Sequence, residues 1–128
     1  MGLSENKPAL EILQDFGPKL LTLLLSPRAI ALNRAAAGDS SGILGKTLAK
    51  HGRETIFPLL VGIFDRVCKE KMIKTSPTKL AEIYIRLLVG DLQIRRVIGA
   101  MDEFTPKEIK QRSIEAINII MLNESIDF

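Results

Sequence analysis

Apolar side chains recur at spacings of three and four along almost the whole chain, while stretches that alternate apolar and polar residues are short and no Asn-Gly or Asp-Gly turn joins them. Positions three and four apart share one face of an α-helix, so the pattern predicts an all-α antiparallel bundle of about five to six helices. The first helix is expected from about Ala9 to Leu25, with Leu10, Leu13, Phe16, Leu20 and Leu24 on its stripe. Gly17-Pro18 should bend it, because proline removes a backbone donor and crowds the preceding turn. Ser26 followed by Pro27 reads as an N-cap with proline in the first helical position, opening a short helix to Ala37 that Gly38 ends. A modest helix follows from Gly42 to Lys50. His51-Gly52 is expected to break the chain before a long helix from Arg53 to Met72, with Pro58 near its first turn. Ser76-Pro77 starts the next helix, expected to run to Ile98 and close at Gly99. Thr105 with Glu108 three residues on forms a capping box for the last helix, which fades near Asn123.

Two of these helices carry more apolar surface than one stripe needs. Placed at about 100° per residue, Pro77 to Gly99 gathers Lys79, Glu82, Arg86 and Gln93 on one narrow arc, and apolar residues cover nearly all the rest. Ile114 to Leu122 behaves similarly. The surplus implies burial against a second copy, with Leu87, Gly90, Asp91, Ile94, Arg95, Ile98, Ile117, Ile120 and Met121 as the expected dimer interface. Asp91 and Arg95, acid before base at four positions, read either as a register-setting pair in that interface or as an ordinary intrahelical pair. The competing reading of the surplus is two central helices of a monomeric bundle.

Composition narrows the function classes. At 128 residues and 46% apolar, the chain suits a single domain with a real core, and five Phe, one Tyr and no Trp make that core aliphatic. The net charge is +3 and basic residues are scattered, which argues against DNA binding through this chain itself. A recognition helix is also missing, since Ile56 to Phe64 offers no polar side chains for base edges. The single Cys68 excludes an internal disulfide and suits a reducing compartment. With no signal-peptide pattern and no membrane-length apolar run, a cytoplasmic protein is expected. One His and one Cys at separate places build no metal set, and no nucleophile–base constellation or phosphate loop occurs. The chain is therefore expected to be no enzyme and to carry no metal or cofactor.

Three segments, in order, resemble a known family. Leu23 to Arg34, His51-Gly52-Arg53-Glu54 and Gly90 to Gly99 are similar to corresponding stretches in the C-terminal domain of TetR-family transcriptional regulators of the AefR-like type, and order and spacing agree from about Ala9 to Asn123. The resemblance implies an effector-binding and dimerisation domain that pairs its last two helices with a partner's into a four-helix interface. An N-terminal helix-turn-helix domain would supply DNA binding. That domain is not within these residues, so the chain is expected to be either an excised domain or a truncated one. Asn33 stands where the family often has an aromatic residue.

A pocket for a small, mostly apolar effector is expected where the Gly17-Pro18 bend opens space. Phe16, Leu20, Phe57, Phe64 and Cys68 would form its walls, and Tyr84 and Asn33 its polar anchors. The alternative is that these residues are plain core and that the chain is a helical protein–protein interaction module without a small ligand.

Overall fold

The computed structural model describes residues 7–125, and among them the chain is all-α, without a strand. Seven α-helices follow in order: α1 (Ala9–Leu24), α2 (Pro27–Gly38), α3 (Ile43–His51), α4 (Phe57–Lys71), α5 (Pro77–Val89), α6 (Leu92–Val97) and α7 (Pro106–Ser125). A π-helical turn, Gly52–Ile56, joins α3 to α4.

Four helices make the core. α1 packs on α4 and α7, and α5 packs on the same two, while α2, α3 and α6 form an outer layer at one end. Neighbours run antiparallel, as cross-links at the helix ends show. The N–H of Ala9 at the start of α1 donates to the Glu70 carboxylate near the end of α4 (3.1 Å). Thr75, just before α5, donates to Glu124 near the end of α7 (3.0 Å). The interior holds Leu13, Leu21, Leu60, Ile63, Val67, Leu80, Leu88 and Ile120, all but sealed from solvent. Phe64 and Tyr84 meet edge to face at its centre, with ring centroids 5.6 Å apart.

The helix starts follow the capping chemistry expected of them. Ser26 Oγ accepts from the N–H of Ala29 (3.2 Å) and Ser76 Oγ from that of Lys79 (3.0 Å). Thr105 and Glu108 complete a reciprocal box, Glu108 N–H to Thr105 Oγ1 at 3.1 Å and Thr105 N–H to Glu108 Oε1 at 3.0 Å.

Three expectations need correction. First, His51-Gly52 does not break the chain. Gly52 keeps right-handed helical angles (φ −59°, ψ −47°), and the helix widens there instead. The N–H of Phe57 reaches back five residues to the carbonyl of Gly52. Pro58 gives the reason: it has no N–H to donate, and its ring would press on the carbonyl four residues back, so a wider turn ahead of it relieves both problems.

Second, the helix expected from Pro77 to Ile98 stops at Val89. Gly90 takes φ 50°, ψ −128°, a conformation natural to glycine, and the short α6 then starts in a new direction. The Arg112 guanidinium of α7 sets the break: its Nε donates to the carbonyls of Leu87 (3.1 Å) and Leu88 (3.0 Å), capping the end of α5. A Cβ on Gly90 would lie 2.4 Å from Arg112 Nη2. Apolar residues before and after Gly90 thus belong to different helices.

Third, the space beside Gly17 is closed, while Pro18 lines a groove between α1 and α7. α1 continues through Pro18 as helix. Gly17 is buried, and a Cβ there would lie 2.2 Å from the Tyr84 hydroxyl and 2.3 Å from Ser113 Oγ. The room given by the missing side chain is filled by these two hydroxyl groups, themselves 3.5 Å apart.

Gly17→Ala should therefore destabilise the fold. Overpacking costs ~1–3 kcal/mol, against a helix-propensity gain of up to about 1 kcal/mol. Urea denaturation should show a net loss, and adding Tyr84→Phe should recover part of it. A second prediction concerns acid. Hydrogen bonds from the backbone and hydroxyl of Thr105 hold the Glu108 carboxyl below the usual glutamate range. Its contribution is present above the unfolded value of about 4.3 and is lost as pH falls through the depressed folded value. The stability gap between the protein and Glu108→Gln should close on acidification below about pH 4.

Candidate functional site

A cleft of about 560 Å³ lies in the outer layer. Leu23, Leu24 and Ser26 line it from the end of α1, and Arg28, Ala29, Leu32 and Asn33 from α2. Gly45, Leu48, Ala49 and His51 come from α3, Gly52 and Ile56 from the π turn, and Gln93 from α6.

Each wall is held by a specific bond. Asp39 fixes the angle between α2 and α3: one carboxylate oxygen accepts from the N–H (3.1 Å) and hydroxyl (2.7 Å) of Ser41, the other from the N–H of Leu44 (3.0 Å). These bonds hold the Asp39 carboxyl below its ordinary range, the Ser41 hydroxyl contributing most. Arg34 ties α2 to α6, donating from Nε to the carbonyl of Val97 (2.7 Å) and from Nη2 to that of Arg96 (3.0 Å). Gln93 Nε2 donates to the carbonyl of Leu24 (3.0 Å), joining α6 to the end of α1. The widened turn supplies both Gly52 and Ile56 to the wall. Leucine, isoleucine and alanine walls with a few polar groups are what a small-ligand site requires, and the volume falls within the ~300–1,000 Å³ of such sites.

A groove of about 710 Å³ between α1 and α7 is larger, and there Asp15, Lys19 and Lys110 share the lining with Pro18, Pro106, Ile114 and Ile117. Among the described residues no helix is long and apolar enough to cross a membrane.

Compared with known families, residues 11–123 match that of the AefR-like transcriptional repressor, C-terminal domain. The chain belongs to this family. Comparisons with curated proteins and with solved structures found no match. A TetR-type C-terminal domain is the effector-binding and dimerisation part of a transcriptional regulator, and the all-α architecture above agrees with it.

In this AefR-like domain six of the seven residues expected around a pocket lie in or against one packed core and do not line the cleft. Leu20, Phe64, Cys68 and Tyr84 are buried in the core, and Phe16 and Phe57 pack against it half-buried. Asn33 alone of the seven lines the cleft, its side-chain amide donating to the carbonyl of Ala29 (2.8 Å). The Cys68 thiol points at the carbonyl of Thr75 (3.4 Å), and burial pushes its pKa up. Burial likewise raises that of Tyr84. The cleft residues Arg28, Leu48, His51 and Gln93 were missed. One signal pointed to them: Leu23 and Leu32 lie off the core stripes of their helices and are exposed large apolar residues.

The expected dimer residues divide as well. Ile117 and Ile120 face inward and belong to the subunit's own core, because Ile109, Ser113, Ala116, Ile117 and Ile120 form the buried face of α7. Leu87 and Met121 are half-buried; Gly90, Asp91 and Arg95 are exposed. Asp91 is not in the middle of a long helix but ahead of α6, where its carbonyl accepts from the N–H of Arg95 (2.9 Å). Ile94 on α6 is 66% exposed and Ile98, just past its end, 70%. The apolar residues that α7 leaves outside are Ile114, Ile119 and Leu122.

Phe64→Ala separates core from pocket wall. As a packed core residue it should cost ~3–5 kcal/mol in denaturant unfolding. A loss below about 1 kcal/mol would mean that Phe64 already borders open space.

Proposed function

We propose that this chain is the effector-binding and dimerisation domain of a TetR-like transcriptional regulator, and that its effector, a small and mostly apolar molecule, occupies the cleft between α2, α3, the π turn and α6. The observation that carries the reading is the cleft itself: apolar walls, a few polar side chains and a volume of about 560 Å³. The family supports it, since its C-terminal domains bind effectors and dimerise. DNA is contacted through a helix-turn-helix domain outside these residues.

Dimerisation runs through the outer faces of α5 and α7 in this reading. Ile119 and Leu122 are 45% and 60% exposed, and Leu87 is half-buried near the end of α5. Each such side chain buried against a second copy gains up to ~1.5–3 kcal/mol. A closed two-fold pair is the simplest arrangement that covers the same patch on both partners.

Light scattering at micromolar concentration should report about twice the mass of one chain. The double variant Ile119→Arg, Leu122→Arg should be monomeric with unchanged helical circular dichroism. A wild-type monomer at high concentration would overturn this part of the reading. For the cleft, an environment-sensitive apolar dye should bind once per chain, and Ala49→Trp, which fills the cleft from α3, should abolish that binding.

A further inference from the structure

We infer that the cleft's ligand is an amphiphilic acid, an apolar chain or ring system bearing one carboxylate, with the carboxylate held by Arg28 at the rim. This rests on the cleft being the effector site.

The charges around the cleft carry the argument. Arg28 and His51 are its titratable side chains, and among the described residues that line it none is Asp or Glu. Two other cavities carry carboxylates in their lining. The α1–α7 groove sets Asp15 beside Lys19 and Lys110, and a smaller one around Arg112 carries Glu108 and Glu115 with Lys107. The smaller one balances two acids with two bases and the groove sets one acid against two bases, whereas in the cleft no carboxylate lines the wall to offset the guanidinium. Arg28 lies in the first turn of α2 and is exposed, so its planar fork is presented to solvent at the mouth. Such a fork matches a carboxylate through two parallel hydrogen bonds.

Behind the rim the chemistry changes to hydrocarbon. Leu24, Leu32, Leu48 and Ile56 form the walls, and Leu32 remains 38% exposed among the described residues. An apolar body would cover these side chains while its head stays at the mouth, as amphiphiles settle at any apolar–water boundary. A neutral apolar molecule would fill the walls but use no charge. A cation would meet Arg28 with like charge.

The test is calorimetric titration of the full chain with decanoate and with decan-1-ol, both below their aggregation limits. Decanoate should bind one per chain, roughly five- to tenfold more tightly than the alcohol. Arg28→Gln should erase that ratio by weakening decanoate alone. Raising salt to molar concentration, where the screening length is about 3 Å, should shrink the ratio in the wild type. Ala49→Trp should stop both ligands, and thermal melts of both exposed-site variants should confirm that they fold. Equal binding of acid and alcohol, or a ratio unmoved by Arg28→Gln, would overturn the acid preference while leaving the cleft as a site. Failure of both ligands to bind, or binding that survives Ala49→Trp, would instead remove the cleft reading and this inference with it.

Discussion

Helices α1, α5 and α7 meet where position 17 has no side chain. The Tyr84 hydroxyl and Ser113 Oγ occupy the place a Cβ would take, at 2.2 and 2.3 Å from it, so the approach of three helices depends on one missing carbon. The same contact brings the Tyr84 ring edge-on to Phe64, which draws α4 into the centre. The two hydroxyl groups sit together in an otherwise apolar interior, where a polar group lacking a partner would be costly. The packing of the four core helices follows from this junction, whose centre Tyr84, Phe64 and Ser113 fill.

With the centre filled, binding capacity moves to the edge of the domain. Pro58 is decisive there, because it turns an expected break into a continuous but widened helix. A break would let α3 swing away from α4. A π turn keeps the two connected while presenting Gly52 and Ile56 to the cleft. Asp39, Arg34 and Gln93 then hold the surrounding elements with bonds to backbone groups. Such bonds depend on where the chain runs and little on which side chains neighbour them, so the frame of the cleft is set by backbone positions while its lining is open to change.

The apolar surplus of the C-terminal half is explained in two ways at once. Part of it, Ile117 and Ile120 included, is the subunit's own core. Part stays outside on α6 and α7. A projection at one angle per residue could not separate these, because Arg112 ends α5 at Gly90 and sends the remaining residues off on a different axis. The projection assumed a straight helix through a residue that a neighbouring helix caps.

By itself the sequence determined the helical class, nearly every helix start and the family. Helix periodicity, Ser-Pro and Thr-Pro starts and the Thr105–Glu108 box are local, set by residues within four positions of one another, so they are legible in one dimension. What the tertiary structure alone decided were the outcomes at the glycines and at Pro58, and the location of the cleft. Gly17 and Gly90 look alike as letters. One lies against hydroxyl groups from two distant helices, and the other beside an arginine 22 positions further along the chain. A glycine specifies only that a side chain is absent. Whether that absence becomes a hinge, a close contact or a helix end depends on which group from elsewhere in the chain fills the space, and only the folded arrangement brings that group there.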